Sequence, residues 1–173
     1  MKNNQPITQR EVLFPPNCYL VSKTDLKGII TQANDAFVAI SGFTRTELIG
    51  SSHNIVRHPD MPAAAFADLW KTVKAGLPWR GAVKNRCKNG DYYWVEAHAS
   101  PVWEDGQITG YLSVRRKASQ AAIDALKAQL EQAQRTYDMQ KKLFDDKVIS
   151  RNEFNVAEAN LKFKEAYREG WKT

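Results

Sequence analysis

The chain has 173 residues, of which 43% are hydrophobic and 25% charged, and this globular composition excludes collagen-like, low-complexity and disulfide-scaffold proteins. Two cysteines, Cys18 and Cys87, are too few for a disulfide framework and favour a reduced, cytoplasmic setting. The net charge of +6 is too dispersed to predict a nucleic-acid partner. No run approaches the roughly 18 apolar residues of a membrane span, and the polar first residues predict no secretory signal.

Residues that interrupt helices are confined to one part of the chain. All seven prolines and eight of the nine glycines lie before residue 111. The first two thirds is therefore predicted to be rich in turns and the last third to be helical. We expect three segments: an N-terminal arm or cap at 1–18, a folded domain at 19–117 and a helical segment at 118–173.

The folded domain alternates short strands with helices. In chain order, the pattern predicts strands at 19–22 and 29–31, short helices at 35–41 and after Thr44, a longer helix at 62–75, and strands at 81–88, 91–103 and 107–116. Asn89-Gly90 and Glu104-Asp105-Gly106 are typical hairpin turns. This order predicts an α+β fold in which helices cover one face of a five-stranded antiparallel sheet.

Alternation along the last three strands assigns their side chains to two faces. The inner face is expected to carry Val83, Asn85, Cys87, Tyr93, Val95, Ala97, Ala99, Ile108, Gly110, Leu112 and Val114. The small residues Ala97, Ala99 and Gly110 would leave a space that either collapses or holds a ligand. The outer face would carry Tyr92, Trp94, His98, Tyr111 and Arg115, and so much aromatic surface predicts a partner there.

Beyond residue 117 the apolar residues recur at spacings of three and four, which predicts a long helix with one apolar seam. The seam consists of Ile123, Leu126, Leu130, Ala133, Tyr137, Gln140 and Phe144. Ser150 and Glu153 form a capping box that begins a second helix with Phe154, Leu161 and Trp171 on one side. The two helices are expected to form an antiparallel hairpin that packs on a partner copy or a neighbouring domain.

Side chains suited to ligand binding are densest before the helix at Pro62. A helix start attracts anions and Arg57 could bind a phosphate, but Asp60 could equally cap the helix while Arg57 pairs with an acid. Trp70 fits either a core position or a stacking platform. The inward amide of Asn85 needs a partner, which could be a carbonyl, a water or the edge of a planar ligand.

Catalytic and metal sites have little support in the sequence. The histidines lack metal-ligand spacing, and neither a nucleophile-base arrangement nor a carboxylate pair can be identified. We therefore expect the protein not to be an enzyme.

Several longer motifs resemble PAS domains, and specifically the FAD-binding sensory domain of Aer-type aerotaxis transducers. The segments that carry the resemblance are 34–37, 41–44, 53–62, 64–70 and 83–95. It covers about residues 8–117, and its most specific string is Arg57-His58-Pro59-Asp60-Met61-Pro62. The resemblance implies a redox or oxygen sensor that binds FAD, with Asn34, Arg57, His58, Asp60, Trp70 and Asn85 as the cofactor-binding residues. Blue-light relatives form a flavin adduct with a cysteine, and the stretch from Gly50 to Arg57 has none.

A homodimer is also expected, and the signalling domain of the same or a partner chain would contact the outer sheet face (Trp94, His98, Tyr111 and Arg115). The expected location is the cytoplasm, or the inner face of the membrane if the chain belongs to a longer receptor. Alternatives are FMN in place of FAD, a haem b gas sensor with His53 or His58 as the ligand, and a cofactor-free dimerisation module. Residues 141–154 resemble the helical hairpin of secretion and efflux adaptors, although a coiled-coil signalling linker is the favoured interpretation of 118–173.

Overall fold

The computed structural model describes residues 4–61 and 63–169. The chain forms two compact units that divide between Ser119 and Gln120. Among the described residues, no helix has the length and apolar character needed to cross a membrane.

The first unit is built on one five-stranded antiparallel sheet in the order β2-β1-β5-β4-β3. Its elements are β1 (Leu20–Thr24), β2 (Ile30–Ala33), α1 (Asp35–Ser41), α2 (Arg45–Leu48), a 3-10 helix (His53–Val56), α3 (Ala63–Lys74), β3 (Trp79–Arg86), β4 (Tyr92–Glu104) and β5 (Gln107–Lys117). Helix α1 packs on β1, α2 on β2, and α3 on β3 and β4. The predicted α+β fold is confirmed, although the 3-10 helix was not predicted and β3 begins and ends two residues earlier than expected. Pro62, the predicted helix start, lies outside the described residues.

Local signals explain why the short helices begin and end where they do. The Asn34 side chain accepts a hydrogen bond from the Phe37 amide and caps α1, which ends at Gly42 with a left-handed φ of 71°. Thr44 and Glu47 form the predicted capping box of α2. These signals are local in sequence, and for that reason the helices could be predicted closely.

The prediction for the two faces of β5 is wrong. Arg115 pairs with Ala97 and Ser113 with Ala99, so Tyr111, Ser113 and Arg115 lie on the inner, helix-covered face. The predicted inner residues Gly110, Leu112 and Val114 therefore belong to the opposite side, whereas Ile108, which pairs with Trp103 beyond a shift in register, lies near Gly76 at the end of α3, on the inner side as predicted. The physical reason is that the inner face holds a buried arginine, so its sequence pattern resembles that of an exposed face.

The N-terminal arm extends the sheet at the start of β4. The Val12 amide donates to the Tyr92 carbonyl at 2.7 Å, and residue 11 forms a parallel bridge with Tyr92. The buried Asp91 carboxylate accepts hydrogen bonds from Thr8 at 2.6 Å and from Arg10 at 2.8 Å. The arm therefore provides backbone partners for residues of β4 that β5 does not reach.

The second unit consists of two helices, α4 (Gln120–Asp145) and α5 (Arg151–Glu169), that pack against each other. Phe154 stacks on Phe144 with ring centroids 5.0 Å apart. Tyr137 lies two turns before Phe144 in α4 and contacts both Phe154 and Leu161. This contact order shows that the helices are antiparallel, as predicted. The predicted residues Ile123, Leu126, Leu130, Ala133 and Trp171 lie outside the described side chains.

Candidate functional site

A cavity of about 200 Å³ lies between α3 and the inner face of the sheet. Its aromatic wall includes Phe66, Trp70 and Tyr111, and the rings of Trp70 and Tyr111 meet edge to face with centroids 5.4 Å apart. The Trp70 ring also lies against Gly28, where a β-carbon would come within 2.9 Å of the indole. Glycine at position 28 therefore makes room for this aromatic wall.

Polar groups complete the lining of the cavity. Thr24, Lys27, His53 and Ser113 all contribute to it, whereas the described lining includes no aspartate or glutamate. The Thr24 hydroxyl is buried and has no hydrogen-bond partner among the described residues. A buried polar group without a partner costs about 1–3 kcal/mol, so this hydroxyl is suited to a ligand that hydrogen-bonds it.

The size and lining of the cavity fit a planar aromatic ring with a polar edge. An apolar cavity of about 150 Å³ is enough for benzene, while whole drug-sized ligands need about 300 Å³ or more. At about 200 Å³, the cavity has room for a ring system but not for an entire dinucleotide.

The structure divides the six predicted cofactor-binding residues among several places, and of the six only Trp70 lines the cavity. Asn34 lies at the start of α1, where its side-chain oxygen accepts from the Phe37 and Val21 amides and its nitrogen donates to the Tyr19 carbonyl. Each polar atom of this side chain thus has a protein partner, and these contacts account for the asparagine without a ligand.

Arg57 and Asn85 lie together at the edge of the sheet, where the Arg57 backbone forms an antiparallel bridge with β3 at Asn85. Arg57 donates to the Met61 carbonyl at 2.6 Å, and its guanidinium lies 4.3 Å from the ring centre of Phe66, which lines the cavity. Asn85 is buried beside Tyr93, the residue opposite it on β4. Burial raises the pKa of Tyr93 far above its usual range, and the nearby Asn85 amide partly opposes that shift.

His58 and Asp60 lie on the other side of the β3 edge, with Lys84 and Tyr92. Asp60 is 2.9 Å from the ammonium of Lys84, which lies 4.2 Å above the Tyr92 ring. The His58 ring is buried; its Nδ1 accepts from the Asp60 amide at 3.2 Å, and its Nε2 has no partner among the described residues. This cluster is separated from the cavity lining, so the structure does not bring all six predicted residues to one site.

A buried network around Arg115 was missed by the sequence reasoning. Arg115 donates to the Ser22 hydroxyl at 2.8 Å, lies 3.2 Å from Nε2 of His53, and covers the Phe37 ring at 4.1 Å. His53 stacks on Phe37 and also lines the cavity. The small residues Ala97 and Ala99 opposite Arg115 and Ser113 were the available sequence signal, because small residues on one strand accommodate larger ones on the next.

The predicted partner surface on the outer sheet face is wrong in most of its members. Tyr111 and Arg115 lie on the inner face and are 8% and 2% exposed. Trp94 and Tyr92 are on the outer side but buried, and His98 alone of the five predicted residues is exposed. Trp94 and Tyr92 are therefore buried in the structure and do not form an open apolar patch.

Two histidines are expected to make the first unit less stable as the pH falls below about 6.5. Burial, helped by Arg115, lowers the pKa of His53 to about 3, and burial, helped by Lys84, lowers that of His58 to about 4. The unfolded chain takes up these protons near pH 6.5, whereas the folded chain does not, so protonation favours unfolding in this window. Lowering the pH from about 7.5 to about 5.5 should therefore reduce the free energy of unfolding by about 2.7 kcal/mol.

Urea unfolding at the two pH values measures this loss. His58→Gln should remove about half of it, whereas the same change at the exposed His98 should leave it intact. Equal stability at both pH values would contradict the prediction.

Comparisons with known proteins agree with the architecture. The family described as PAS fold matches residues 30–115. The first unit therefore has the PAS fold. A solved structure from a study of a flavin analogue in a light-oxygen-voltage domain superposes with a TM-score of 0.57 at 21% identity, covering 64% of this chain and 84% of that one. At this identity the superposition supports the shared fold alone.

The curated relatives that match this chain are much longer proteins. The aerotaxis receptor of Escherichia coli is 52% identical over 126 residues, which are 73% of this chain and 25% of the receptor. The nitrogen fixation regulatory protein of Klebsiella pneumoniae is 29% identical over 100 residues, covering 57% of this chain and 20% of that protein. This chain therefore spans about a quarter or less of the length of these relatives.

Proposed function

We propose that the PAS domain is a flavin-binding redox or oxygen sensor module of a chemotaxis-type signal transducer, with FAD as its cofactor. The observation that carries the proposal is the cavity walled by Trp70 and Tyr111, in which the Thr24 hydroxyl has no partner among the described residues. The 52% identity to an aerotaxis receptor adds support for a sensory role.

In this proposal the aromatic wall would pack against the flavin ring, and Thr24 and His53 would be the groups available to its polar edge. Arg57 and Asn85 act from behind Phe66, because Arg57 packs on that ring and Asn85 is bridged to Arg57. The bound flavin would supply a reversible electron acceptor, and the protein would supply its position and electrostatic surroundings. The cavity has room for the ring system only, so the rest of the FAD dinucleotide would lie outside it.

Haem is less consistent with the described contacts than flavin. His53 Nε2 already faces the Ser22 hydroxyl at 3.0 Å and the Arg115 guanidinium at 3.2 Å, so it is the acceptor of both. His58 has a ring nitrogen without a partner, but it does not line the cavity. FMN would use the same ring site as FAD, and a cofactor-free dimerisation module remains the outcome if no chromophore binds.

The signalling partner in this proposal is a domain of the same or a partner chain, and the protein acts as a homodimer in the cytoplasm. The antiparallel hairpin of α4 and α5 would serve as a linker in that assembly. The proposal assigns no catalytic reaction to the domain.

Replacing Trp70 by alanine is expected to weaken flavin binding about tenfold, because the variant loses both buried apolar area and ring stacking. The experiment is an absorption spectrum of the purified chain, followed by acid release, chromatography of the cofactor and titration of the stripped protein with FAD. Trp103→Ala is the matched control, since Trp103 is 55% exposed and does not line the cavity.

Flavin absorption in the wild type and weakened FAD binding only in Trp70→Ala would support the proposal. A colourless protein that refuses FAD would contradict it, and a haem spectrum would redirect it to a gas sensor.

A further inference from the structure

Arg115 is a fully enclosed cation on the inner face of the sheet. It is 2% exposed, and its described polar partners are the Ser22 hydroxyl and the His53 imidazole. The third contact is the face of the Phe37 ring, 4.1 Å from the guanidinium carbon. All three neighbours are uncharged, because the low pKa of His53, about 3, keeps the ring neutral.

The described residues provide no carboxylate ion pair for Arg115, and its Nε atom is buried without a hydrogen-bond partner. Burial lowers the pKa of Arg115 to about 10, so the guanidinium remains protonated at neutral pH. Enclosing a charge costs several kcal/mol unless an opposite charge or hydrogen bonds compensate it. The compensation here is incomplete.

His53 connects this cation to the cavity. Its Nε2 accepts from Arg115, so the neutral ring carries its proton on Nδ1, and the same residue lines the cavity. Lys27 is a second basic residue of the lining, and the described lining includes no acidic side chain. The charged residue of the described lining, Lys27, is therefore basic, and Arg115, which does not itself line the cavity, adds a second positive charge behind the neutral His53.

We infer that Arg115 is the buried counter-charge of the cavity and that the cavity prefers a planar ring whose enclosed edge carries negative charge. The inference rests on the proposed function in placing a ring ligand in this cavity, but it concerns the charge of the ligand and not its chemical name. A ring that gains negative charge after binding would be stabilised by the same arrangement.

The test compares two small rings that differ in charge, 2-naphthoate and 2-naphthamide, binding to the full chain freed of chromophore. The wild type is expected to bind the anion about tenfold more tightly than the amide, as for a hydrogen bond with a charged group. Arg115→Met should abolish the preference while leaving the affinity for naphthamide within about twofold. Arg116→Met, at the adjacent exposed arginine, should keep the preference.

Methionine is chosen because replacing a buried ion by an apolar side chain of similar volume often preserves the fold. Thermal unfolding checks each variant, and Arg115→Gln is the second variant if methionine is not tolerated. A wild type without preference for naphthoate would overturn the inference, and so would a folded Arg115 variant that retains the preference.

Separate flavin measurements distinguish this inference from the proposed function. A wild type that refuses flavin but prefers naphthoate would contradict the flavin proposal and support the charge preference. A wild type that binds flavin but shows no preference for naphthoate would support the flavin proposal and contradict the charge preference.

Discussion

Replacing Phe37 by alanine is expected to lower the free energy of unfolding of the first unit by about 4 kcal/mol. The ring is completely buried, stacks on His53 with centroids 5.9 Å apart, and lies 4.1 Å from the Arg115 guanidinium. Truncation would leave a cavity and would remove the aromatic face that helps to compensate a buried cation. Both effects act on the folded state, so their costs reinforce each other.

Urea unfolding followed by tryptophan fluorescence measures this change, because four of the five tryptophans belong to the first unit. Phe37→Leu is the matched control: it retains most of the volume and should cost about 1.5 kcal/mol. A loss below about 1.5 kcal/mol for Phe37→Ala would show that Phe37 is not central to this core.

Replacing Gly110 by alanine is expected to cost about 3 kcal/mol, because a β-carbon at this position would overlap the carbonyl oxygen of Thr24. The clashing oxygen belongs to the backbone of Thr24, at the end of β1. Thr24 pairs there with Tyr111 of β5, so its backbone cannot move without disturbing that pairing. The predicted role of Gly110 as a source of ligand space is therefore wrong, since a neighbouring strand occupies that space.

Gly106→Ala is the control for Gly110→Ala. Gly106 has a φ of 76°, but a β-carbon there would meet nothing within 4 Å. It should therefore cost only about 1 kcal/mol of backbone strain. Equal losses for the two variants in urea unfolding would exclude the steric explanation for Gly110.

Elements with local causes were predictable from the sequence. The caps at Asn34, Thr44 and Ser150 satisfy backbone groups within three residues of themselves, so their chemistry is visible in a short window. The Asn89-Gly90 turn is similarly local, with Gly90 at a φ of 98°. Such signals placed the order and type of the main elements correctly.

The face of β5 depended on contacts that the sequence does not display. Alternation divides Tyr111, Ser113 and Arg115 from Gly110, Leu112 and Val114, but it does not say which set faces the helices. The charge of Arg115 favoured assigning its set of side chains to the exposed face, which was wrong. Arg115 is buried in contact with Ser22, His53 and Phe37, and these residues lie far away in sequence. The same long-range packing explains why Trp70 could be linked to the cavity while Thr24 and His53 were overlooked as its neighbours.

The position of β1 in the sheet determines how short a stable fragment of this chain can be. β1 lies between β2 and β5, yet its residues Leu20–Thr24 precede the segment 30–115 that matches the PAS family. A fragment trimmed to the family match would separate β2 from the other strands and expose unpaired backbone on both sides of the gap. A fragment beginning at β1 would still lack the Val12–Tyr92 pairing and leave the start of β4 open to another chain. Aggregation of such shortened forms would then result from missing strand partners and would not indicate that the intact first unit is unstable.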